Sequence, residues 1–298
     1  MKMAGIFPGQ GSEYPGMLKC IEEYGVTAKV FSVINENSGR DIYRTALEGR
    51  EDELKEPLAA QLSVFGTSAC YWHMLKDSMD FHALAGHSLG FYSALYAAGS
   101  LSLDNCVKTI IKVHETIDEI SGSGAGLMAV IIGLKAHEVD KICSDAGDVY
   151  VSNINSATQI VISGTECDVK KACGTALSSG ALNARVLSIP YPLHSPLMEG
   201  IEGRLRHFIS KLELKKPSIP VISHIDAGIL DIDSIVDVLS GQLSKKVMWR
   251  DTIKYLAGAG IAGFLEIGPS DVLSKLVRWI ERDAESLRAE EVLNCPGV

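Results

Sequence analysis

The stretch Phe81–Gly90, FHALAGHSLG, decides the fold of this chain. Its first half is a short apolar run typical of a β-strand, and its second half has the G-x-S-x-G pattern. The helical stretch Tyr92–Ala98 follows directly. A strand, a sharp turn and a helix in this order form a nucleophile elbow, in which flanking glycines permit a strained turn and the serine hydroxyl points outward. Ser88 is therefore a candidate nucleophile, although the pentapeptide alone also fits an ordinary Gly-rich loop.

On both sides of the elbow, apolar runs alternate with helical stretches. This alternation is typical of βαβ units and predicts an α/β fold with a mainly parallel sheet. The predicted strands of this sheet, besides the one before Ser88, are Ala4–Phe7, Val221–His224 and Gly263–Ile267, and the predicted helices are Leu58–Leu75, Tyr92–Ala98 and Leu103–Ile120.

The composition changes at residues 121–126, SGSGAG, which is typical of a flexible hinge. Beyond it the elements follow in the order β-α-β-β-α-β, which indicates a small ferredoxin-like insertion. We therefore expect a large α/β domain of residues 1–125 and 190–298, and a small subdomain of residues 126–189. The elements of the small part are strands Leu127–Ile132, Val149–Asn153, Gln159–Ser163 and Ala184–Ile189, and a helix over Cys167–Ser178.

Composition excludes several classes of function. The net charge of −9 argues against nucleic acid as the main partner. The seven cysteines include no C-x-x-C pair, so a metal site and a disulfide framework are not expected, and most thiols should be small buried groups. No apolar run has the length of a membrane span, and the N-terminus lacks a secretory signal. We expect a cytoplasmic enzyme that does not bind a membrane.

A serine nucleophile needs a general base, which is most often histidine. Among the eight histidines, His87 adjoins Ser88 in a tight turn and should point away from it. His194 instead lies in the irregular stretch Tyr191–Met198, YPLHSPLM, where prolines on both sides stiffen the loop. A histidine held in this way suits a general base, although one that merely lines a loop would look the same.

Five motifs in a fixed order now resemble one known family. They are Ile6–Ser12 (IFPGQGS), Gly86–Gly90 (GHSLG), Ser152–Gly164 (N-x-N-S through V-I-S-G), His194–Met198 (HSPLM) and Glu266–Pro269 (E-x-G-P). In this order they resemble the malonyl-CoA:acyl-carrier-protein transacylases and the acyltransferases of fatty-acid and polyketide synthesis. The resemblance runs nearly end to end. It implies an α/β-hydrolase-like large domain with a ferredoxin-like subdomain.

The resemblance also implies a mechanism. Ser88 would attack a thioester while His194 takes its proton and returns it to the leaving thiol. A carrier-protein phosphopantetheine thiol would then remove the acyl group from Ser88. Backbone N–H groups of Gln10 and Leu89 would form the oxyanion hole, where such a donor lowers the barrier by about 3–4 kcal/mol. The backbone carbonyl of Gln242 would orient His194.

One departure from the family concerns the acyl group. Malonyl-specific members carry an arginine on the helix after the elbow, which clamps the malonyl carboxylate. Counting forward from Ser88 and backward from Gly133 both place Val113 at the position of this arginine. A desolvated carboxylate without its partner costs about 3–5 kcal/mol. Lys112 and His114 lie about 100° away around the helix and should point elsewhere. We therefore expect a non-carboxylated acyl group.

Other pocket positions agree with this departure. The segment before His194 distinguishes extender units in polyketide acyltransferases, and Tyr191–His194, YPLH, matches neither the malonyl nor the methylmalonyl form. The residues expected to line the substrate pocket are Gln61, Phe91, Val113, Asn155 and Leu193.

Four functions remain open from the sequence. The first is transfer of a non-carboxylated acyl group between CoA or acyl-carrier-protein thioesters. The second is an acyl-carrier-protein hydrolase, which differs only in using water to release the acyl group. The third is malonyl transfer with a displaced cation such as Lys112, and the fourth is a non-catalytic module that docks carrier proteins.

The expected partners are an acyl carrier protein and acyl-CoA. No cofactor is expected, because CoA and phosphopantetheine enter as parts of the substrate, and the family tends towards monomers. Carrier proteins are acidic, so a basic patch should lie near the pocket. The residues predicted for this patch are Arg204, Arg206, Lys245, Lys246 and Arg250.

Overall fold

The protein is described from a computed structural model, which covers residues 1–121 and 126–293. Most of the predicted hinge, residues 122–125, and Cys295 lie outside the described residues. Nine strands form two sheets in this part of the chain. The strands are β1 Met3–Phe7, β2 Phe81–Gly86, β3 Leu127–Ile132, β4 Val149–Ile154, β5 Gln159–Gly164, β6 Asn183–Val186, β7 Val221–Ile222, β8 Gly263–Glu266 and β9 Glu285–Arg288.

The described part of the chain contains thirteen α-helices. They are α1 Gly25–Ser38, α2 Ile42–Glu48, α3 Glu51–Leu54, α4 Pro57–Leu75, α5 Gly90–Ala97, α6 Leu103–Ser121, α7 Ala136–Ala146, α8 Glu166–Ser178, α9 Glu202–Ile209, α10 Ile235–Gly241, α11 Trp249–Gly258, α12 Val272–Ile280 and α13 Ala289–Val292. Short 3₁₀ helices cover Pro196–Ile201 and Ile232–Ser234. No helix among the described residues is long and apolar enough to cross a membrane.

The larger sheet is parallel throughout, with strand order β7-β2-β1-β8-β9. Alternate residues of β1 face opposite sides, as a strand requires. Met3 and Phe7 belong to a core shared with α4 and α5, whereas Ala4 and Ile6 pack in a second core with α11 and α12. The predicted α/β class with a parallel sheet is therefore confirmed.

The smaller sheet is antiparallel, with strand order β4-β5-β3-β6. Together with the connections through α7 and α8, this order is the ferredoxin-like arrangement. Its strands lie within the predicted range 126–189. The division of the chain into two domains at those boundaries stays a prediction, because sheet membership does not define a unit that folds by itself.

Two predicted strands are two residues shorter than expected. The predicted strand Ala184–Ile189 ends at Val186, and residues 187–189 line a cavity instead. The predicted strand Val221–His224 ends at Ile222, because the Ser223 carbonyl accepts a hydrogen bond from the Ala227 amide and turns the chain.

The thiols agree with the sequence analysis apart from one. Cys70, Cys106, Cys143 and Cys173 are buried free thiols, and Cys167 is an exposed one. Cys20 is disulfide-bonded, which the sequence did not predict.

Candidate active site

The elbow lies at the carboxyl edge of the parallel sheet, between β2 and α5. Ser88 itself adopts the left-handed conformation, with φ of 52°, and the flanking glycines do not. The two glycines are needed instead because neighbouring backbone atoms lie too close to them for a side chain. A Cβ on Gly86 would lie 2.1 Å from the carbonyl carbon of Gly90, and a Cβ on Gly90 would lie 2.0 Å from the Phe7 carbonyl oxygen. The glycines therefore let the elbow pack against β1, and the backbone strain falls on the serine.

Ser88 and His194 are brought together across 106 positions of chain. The Ser88 hydroxyl lies 2.7 Å from His194 Nε2. His194 also has a positive φ, 58°, and its side chain is almost completely buried. The His87 ring turns away from Ser88, since its Nε2 donates to the Asn155 side-chain oxygen at 2.9 Å and its ring packs edge-on against Trp249.

Two backbone carbonyls fix the tautomer of His194. Its Nδ1 lies 2.8 Å from the Gln242 oxygen and 3.2 Å from the Lys245 oxygen. Carbonyl oxygens only accept hydrogen bonds, so Nδ1 carries the proton and Nε2 is left to accept from Ser88. The Gln242 side chain in turn donates to the Tyr92 hydroxyl at 2.8 Å, which ties this loop to α5.

Burial sets the protonation state of this pair. Desolvation lowers the pKa of His194 to about 4, and the hydrogen bond to Gln242 opposes this shift only in part. His194 is therefore neutral at pH 7 and can accept the proton of Ser88.

Two residues that line the same cavity as Ser88, Gln10 and Leu89, have backbone amides without an acceptor among the described residues. Neither the Gln10 nor the Leu89 N–H donates to any acceptor in the described part of the chain. The Gln10 loop lies against the elbow, since a Cβ on Gly9 would be 2.6 Å from the His87 carbonyl oxygen. The Gln10 side-chain oxygen accepts from Gln61 Nε2 at 3.1 Å, which anchors this loop on α4. Such free amides can stabilise a negatively charged oxygen.

A cavity of about 440 Å³ opens above this pair. Gln61, Val113, Asn155 and Leu193 line it, together with Gln10, Ser88, Leu89, His194 and Gln242. The expectation for Phe91 is wrong. Its side chain is completely buried, and its ring packs edge-on against the His224 ring with 4.9 Å between centroids.

No cation lies on the cavity face of α6 among the described residues. Lys112 Nζ pairs with Glu115 at 3.2 Å and does not line the cavity. The His114 ring turns towards Asp118, at 3.4 Å. Two exposed cations do line the cavity elsewhere, Lys55 and Arg185, and Lys55 pairs with Glu51 at 3.1 Å.

The residues predicted as a basic patch are mostly neutralised. Arg204 pairs with Glu119 at 2.6 Å, Arg206 with Asp237, Lys246 with Asp140 at 3.7 Å and Arg250 with Asp251 at 2.9 Å. Lys245 is exposed and has no ion pair with a described residue. Four of the five cations are thus paired with carboxylates, and the assignment of these residues to a carrier-protein patch stays a prediction.

Sequence reasoning missed several residues of the site. Tyr92 positions Gln242, and only its place four residues after Ser88 could have indicated this. His224 is completely buried, with its ring 6.3 Å from that of His194, and nothing in the local sequence points to this contact. Glu266 of the last motif accepts from the amides of Leu273 and Ser274, which fixes the start of α12 beside the cavity.

Comparisons with known proteins agree with this architecture. A family profile described as the acyl transferase domain matches residues 6–293. The malonyl CoA-acyl carrier protein transacylase of Bacillus subtilis (strain 168) is 35% identical over 299 residues, covering 97% of this chain and 94% of that protein.

Solved structures agree as well. The malonyl CoA-acyl carrier protein transacylase from Coxiella burnetii superposes with a TM-score of 0.94 at 31% identity, covering 99% of this chain and 96% of the other. A malonyl-transacylase in complex with its type II PKS acyl-carrier protein gives a TM-score of 0.91 at 30% identity, covering 97% and 94%.

The class is thus an enzyme, an acyltransferase built on a parallel α/β sheet with a small antiparallel sheet beside its site. The chain belongs to the acyl transferase domain family and is an acyltransferase of the malonyl-CoA:acyl-carrier-protein transacylase type. The family resemblance drawn from the five motifs is confirmed.

Proposed function

We propose that this acyltransferase moves a non-carboxylated acyl group between CoA or carrier-protein thioesters through an acyl-Ser88 intermediate. The observation that carries the proposal is Val113, which lines the cavity where malonyl-specific relatives carry arginine. Its neighbours on α6 supply no cation to the cavity. A malonyl carboxylate bound there would be desolvated without a partner, at a cost of about 3–5 kcal/mol.

In the proposed acylation, Ser88 Oγ forms a bond to the thioester carbon while His194 Nε2 takes the hydroxyl proton. The carbonyl oxygen becomes negatively charged and accepts hydrogen bonds from the Gln10 and Leu89 amides. The carbon–sulfur bond then breaks, and His194 returns the proton to the leaving thiolate. The Gln242 carbonyl stabilises the imidazolium that forms between these steps, because it accepts from Nδ1–H.

Deacylation reverses these steps with a second thiol. His194 takes the thiol proton, the sulfur attacks the ester carbon, and Ser88 Oγ leaves as a hydroxyl. We infer that the second thiol belongs to the phosphopantetheine arm of an acyl carrier protein, because a relative at 30% identity is solved in complex with one. The proposed chemistry uses side chains, backbone amides and the Gln242 carbonyl of this chain, with CoA and phosphopantetheine as substrate parts.

The test is intact-protein mass spectrometry after mixing with acetyl-, butyryl- and malonyl-CoA, with Ser88→Ala as control. We expect a mass increase from acetyl and butyryl that only a carrier-protein thiol discharges. An adduct that decays in buffer alone would show that water releases the acyl group, and the protein would then be an acyl-carrier-protein hydrolase and not a transferase. If no thioester forms an adduct with the wild-type protein, the non-catalytic module that docks carrier proteins would be the remaining function.

Strong malonyl loading would contradict the non-carboxylated substrate. The displaced cation would then be Arg185 rather than Lys112, because Arg185 lines the cavity and forms no ion pair with a described residue. In that case, Arg185→Gln should abolish malonyl loading while acetyl loading persists.

A further inference from the structure

The smaller sheet has two different faces. Ala129, Ile131, Ile160 and Ile162 pack against α7 and α8 in a core of their own. The intervening residues face the opposite way, as alternation along a strand requires. Of these, Met128, Val130 and Val161 join the main core and line the active-site cavity. Val130 and Val161 are direct cross-strand partners, so they form one continuous apolar surface.

Helix α6 supplies a second apolar part of the cavity lining. Ile110, Val113 and Ile117 all line the cavity, and they are 1%, 6% and 1% exposed. Their spacing of three and four residues places them on one face of the helix. Seven residues of helix separate the first from the last, so this wall is about 10 Å long.

These two surfaces line the same cavity, and we call their shared apolar lining the acyl slot. Its residues are Ile110, Val113, Ile117, Met128, Val130 and Val161. None of them carries a charge or a side-chain hydrogen-bonding group. The charged residues that line the cavity, Glu13, Glu51, Lys55 and Arg185, are exposed or half-buried, so they lie towards solvent. Arg185 is aligned with Val130 but on the edge strand β6.

We propose that the acyl slot takes a linear saturated acyl chain longer than acetyl. The inference rests on the proposed function and extends it from the absence of a carboxylate to the length of the chain. An acetyl group would leave most of the 10 Å wall unfilled, whereas a longer chain buries further methylenes against it. Each buried methylene should raise kcat/KM for acylation about fourfold until the slot is full.

The experiment measures kcat/KM for acylation of Ser88 by acetyl-, butyryl-, hexanoyl- and octanoyl-CoA, followed by intact mass. The expected result is a rise from acetyl to at least hexanoyl. Acetyl as the best substrate, with a fall at every longer chain, would overturn the acyl slot. That outcome leaves the proposed function standing, since acetyl is itself non-carboxylated. Malonyl as the best substrate would instead overturn the proposed function.

Two variants on opposite faces of β3 distinguish an effect on acyl-chain specificity from a general loss of protein stability. Val130→Ala enlarges the acyl slot, so the optimum should move to a longer chain. The matched control Ile131→Ala removes a buried side chain from the same strand on its other face, so the ratio of octanoyl to acetyl rates should stay at the wild-type value. Equal shifts of that ratio in both variants would contradict the proposal.

A filling variant tests the same space in the other direction. Val161→Met adds volume beside Val130, so the optimum should move to a shorter chain. Its control is Ile160→Met, which faces α7 and α8. An optimum that Val161→Met leaves unchanged would show that the chain binds elsewhere in the cavity.

Discussion

At the scale of single residues, backbone strain falls on Ser88 and His194, the two residues that we propose react. Ser88 and His194 are two of the four described non-glycine residues with positive φ, at 52° and 58°. A left-handed conformation costs a residue with a Cβ about 1–2 kcal/mol. Packing around the elbow and the His194 loop therefore holds these two backbones in place.

The strain at Ser88 is measurable. Ser88→Gly and Ser88→Ala both lose the hydroxyl and both should be inactive. Only glycine relieves the left-handed backbone, so Ser88→Gly should be more stable than Ser88→Ala by about 1 kcal/mol. Urea unfolding of the two variants measures the difference. Equal stability, or a more stable alanine variant, would show that φ at Ser88 carries no strain.

The pH dependence of acylation belongs to His194. Its pKa lies at about 4 rather than at the ordinary 6.5, because burial disfavours the imidazolium. The neutral ring is the active base, so kcat/KM should stay level as the pH falls below 6.5 and should drop only near 4. A midpoint near 6.5 in the acidic limb would contradict the burial argument.

Folding must be followed in the same titration. A lowered pKa means that the unfolded chain binds a proton more readily than the folded one between pH 6.5 and 4. The stability contributed by neutral His194 is complete above pH 6.5 and is lost as the pH falls towards 4. Circular dichroism at each pH separates loss of the base from loss of the fold.

At the scale of elements, the proposed function assigns the choice of acyl group to helix α6, through Val113. Val113→Arg places a guanidinium at the cavity wall, where it can pair with a carboxylate. The variant should load malonyl better relative to acetyl than wild type does. Without substrate it should be less stable, because the buried charge has no partner. The control is Val113→Met, which has length but no charge.

Malonyl loading and thermal unfolding with and without malonyl-CoA check the Val113→Arg expectation. If Val113→Met gains as much malonyl loading as Val113→Arg, cavity shape rather than charge would explain the preference.

The junction of β1 with the elbow is a second element-scale feature. A Cβ on Gly90 would lie 2.0 Å from the Phe7 carbonyl oxygen, so Gly90→Ala must push β1 and α5 apart. We expect a loss of at least about 3 kcal/mol, at the upper end for overpacking. The control is Gly174→Ala on the surface of α8, where a Cβ meets no atom within 4 Å. That variant should be stabilised by about 1 kcal/mol.

Denaturant unfolding of both alanine variants tests the packing at the elbow. A Gly90→Ala protein as stable as wild type would mean that the elbow can move away from β1.

At the scale of the whole molecule, the distribution of charge decides which cations can meet an acidic partner. Lys245 has no ion pair with a described residue, whereas Lys246 pairs with Asp140. Lys245→Glu should therefore slow transfer to the carrier protein more than Lys246→Glu, and the difference should shrink at high salt. Loading from an uncharged short thioester should change in neither variant. If Lys245→Glu and Lys246→Glu slow transfer to the carrier protein equally, the absence of an ion pair at Lys245 would not explain carrier-protein binding.

Much of the fold was predictable, because local pattern and packing agree. The strand Leu127–Ile132 has the predicted bounds, and the helix predicted over Leu58–Leu75 begins one residue earlier, at Pro57. Helix α1 was missed, although Val30, Phe31 and Ile34 have helical spacing and are all buried. Strand β9 was missed as well. It is only four residues long and lies at the edge of the sheet, where it pairs with β8 alone, so its sequence shows no apolar run.

The family and the α/β class could be read from the motifs and the alternation of apolar and helical stretches, and so could the two residues that we propose react. Motifs record local chemistry, so G-x-S-x-G and HSPLM identify Ser88 and His194 without knowledge of their distance. The three-dimensional packing was needed to show that Phe91 is buried and does not line the cavity, which cations are paired, and which face of the smaller sheet lines the cavity. These features depend on contacts between distant segments, and a neighbour in space leaves no mark in the sequence beside it.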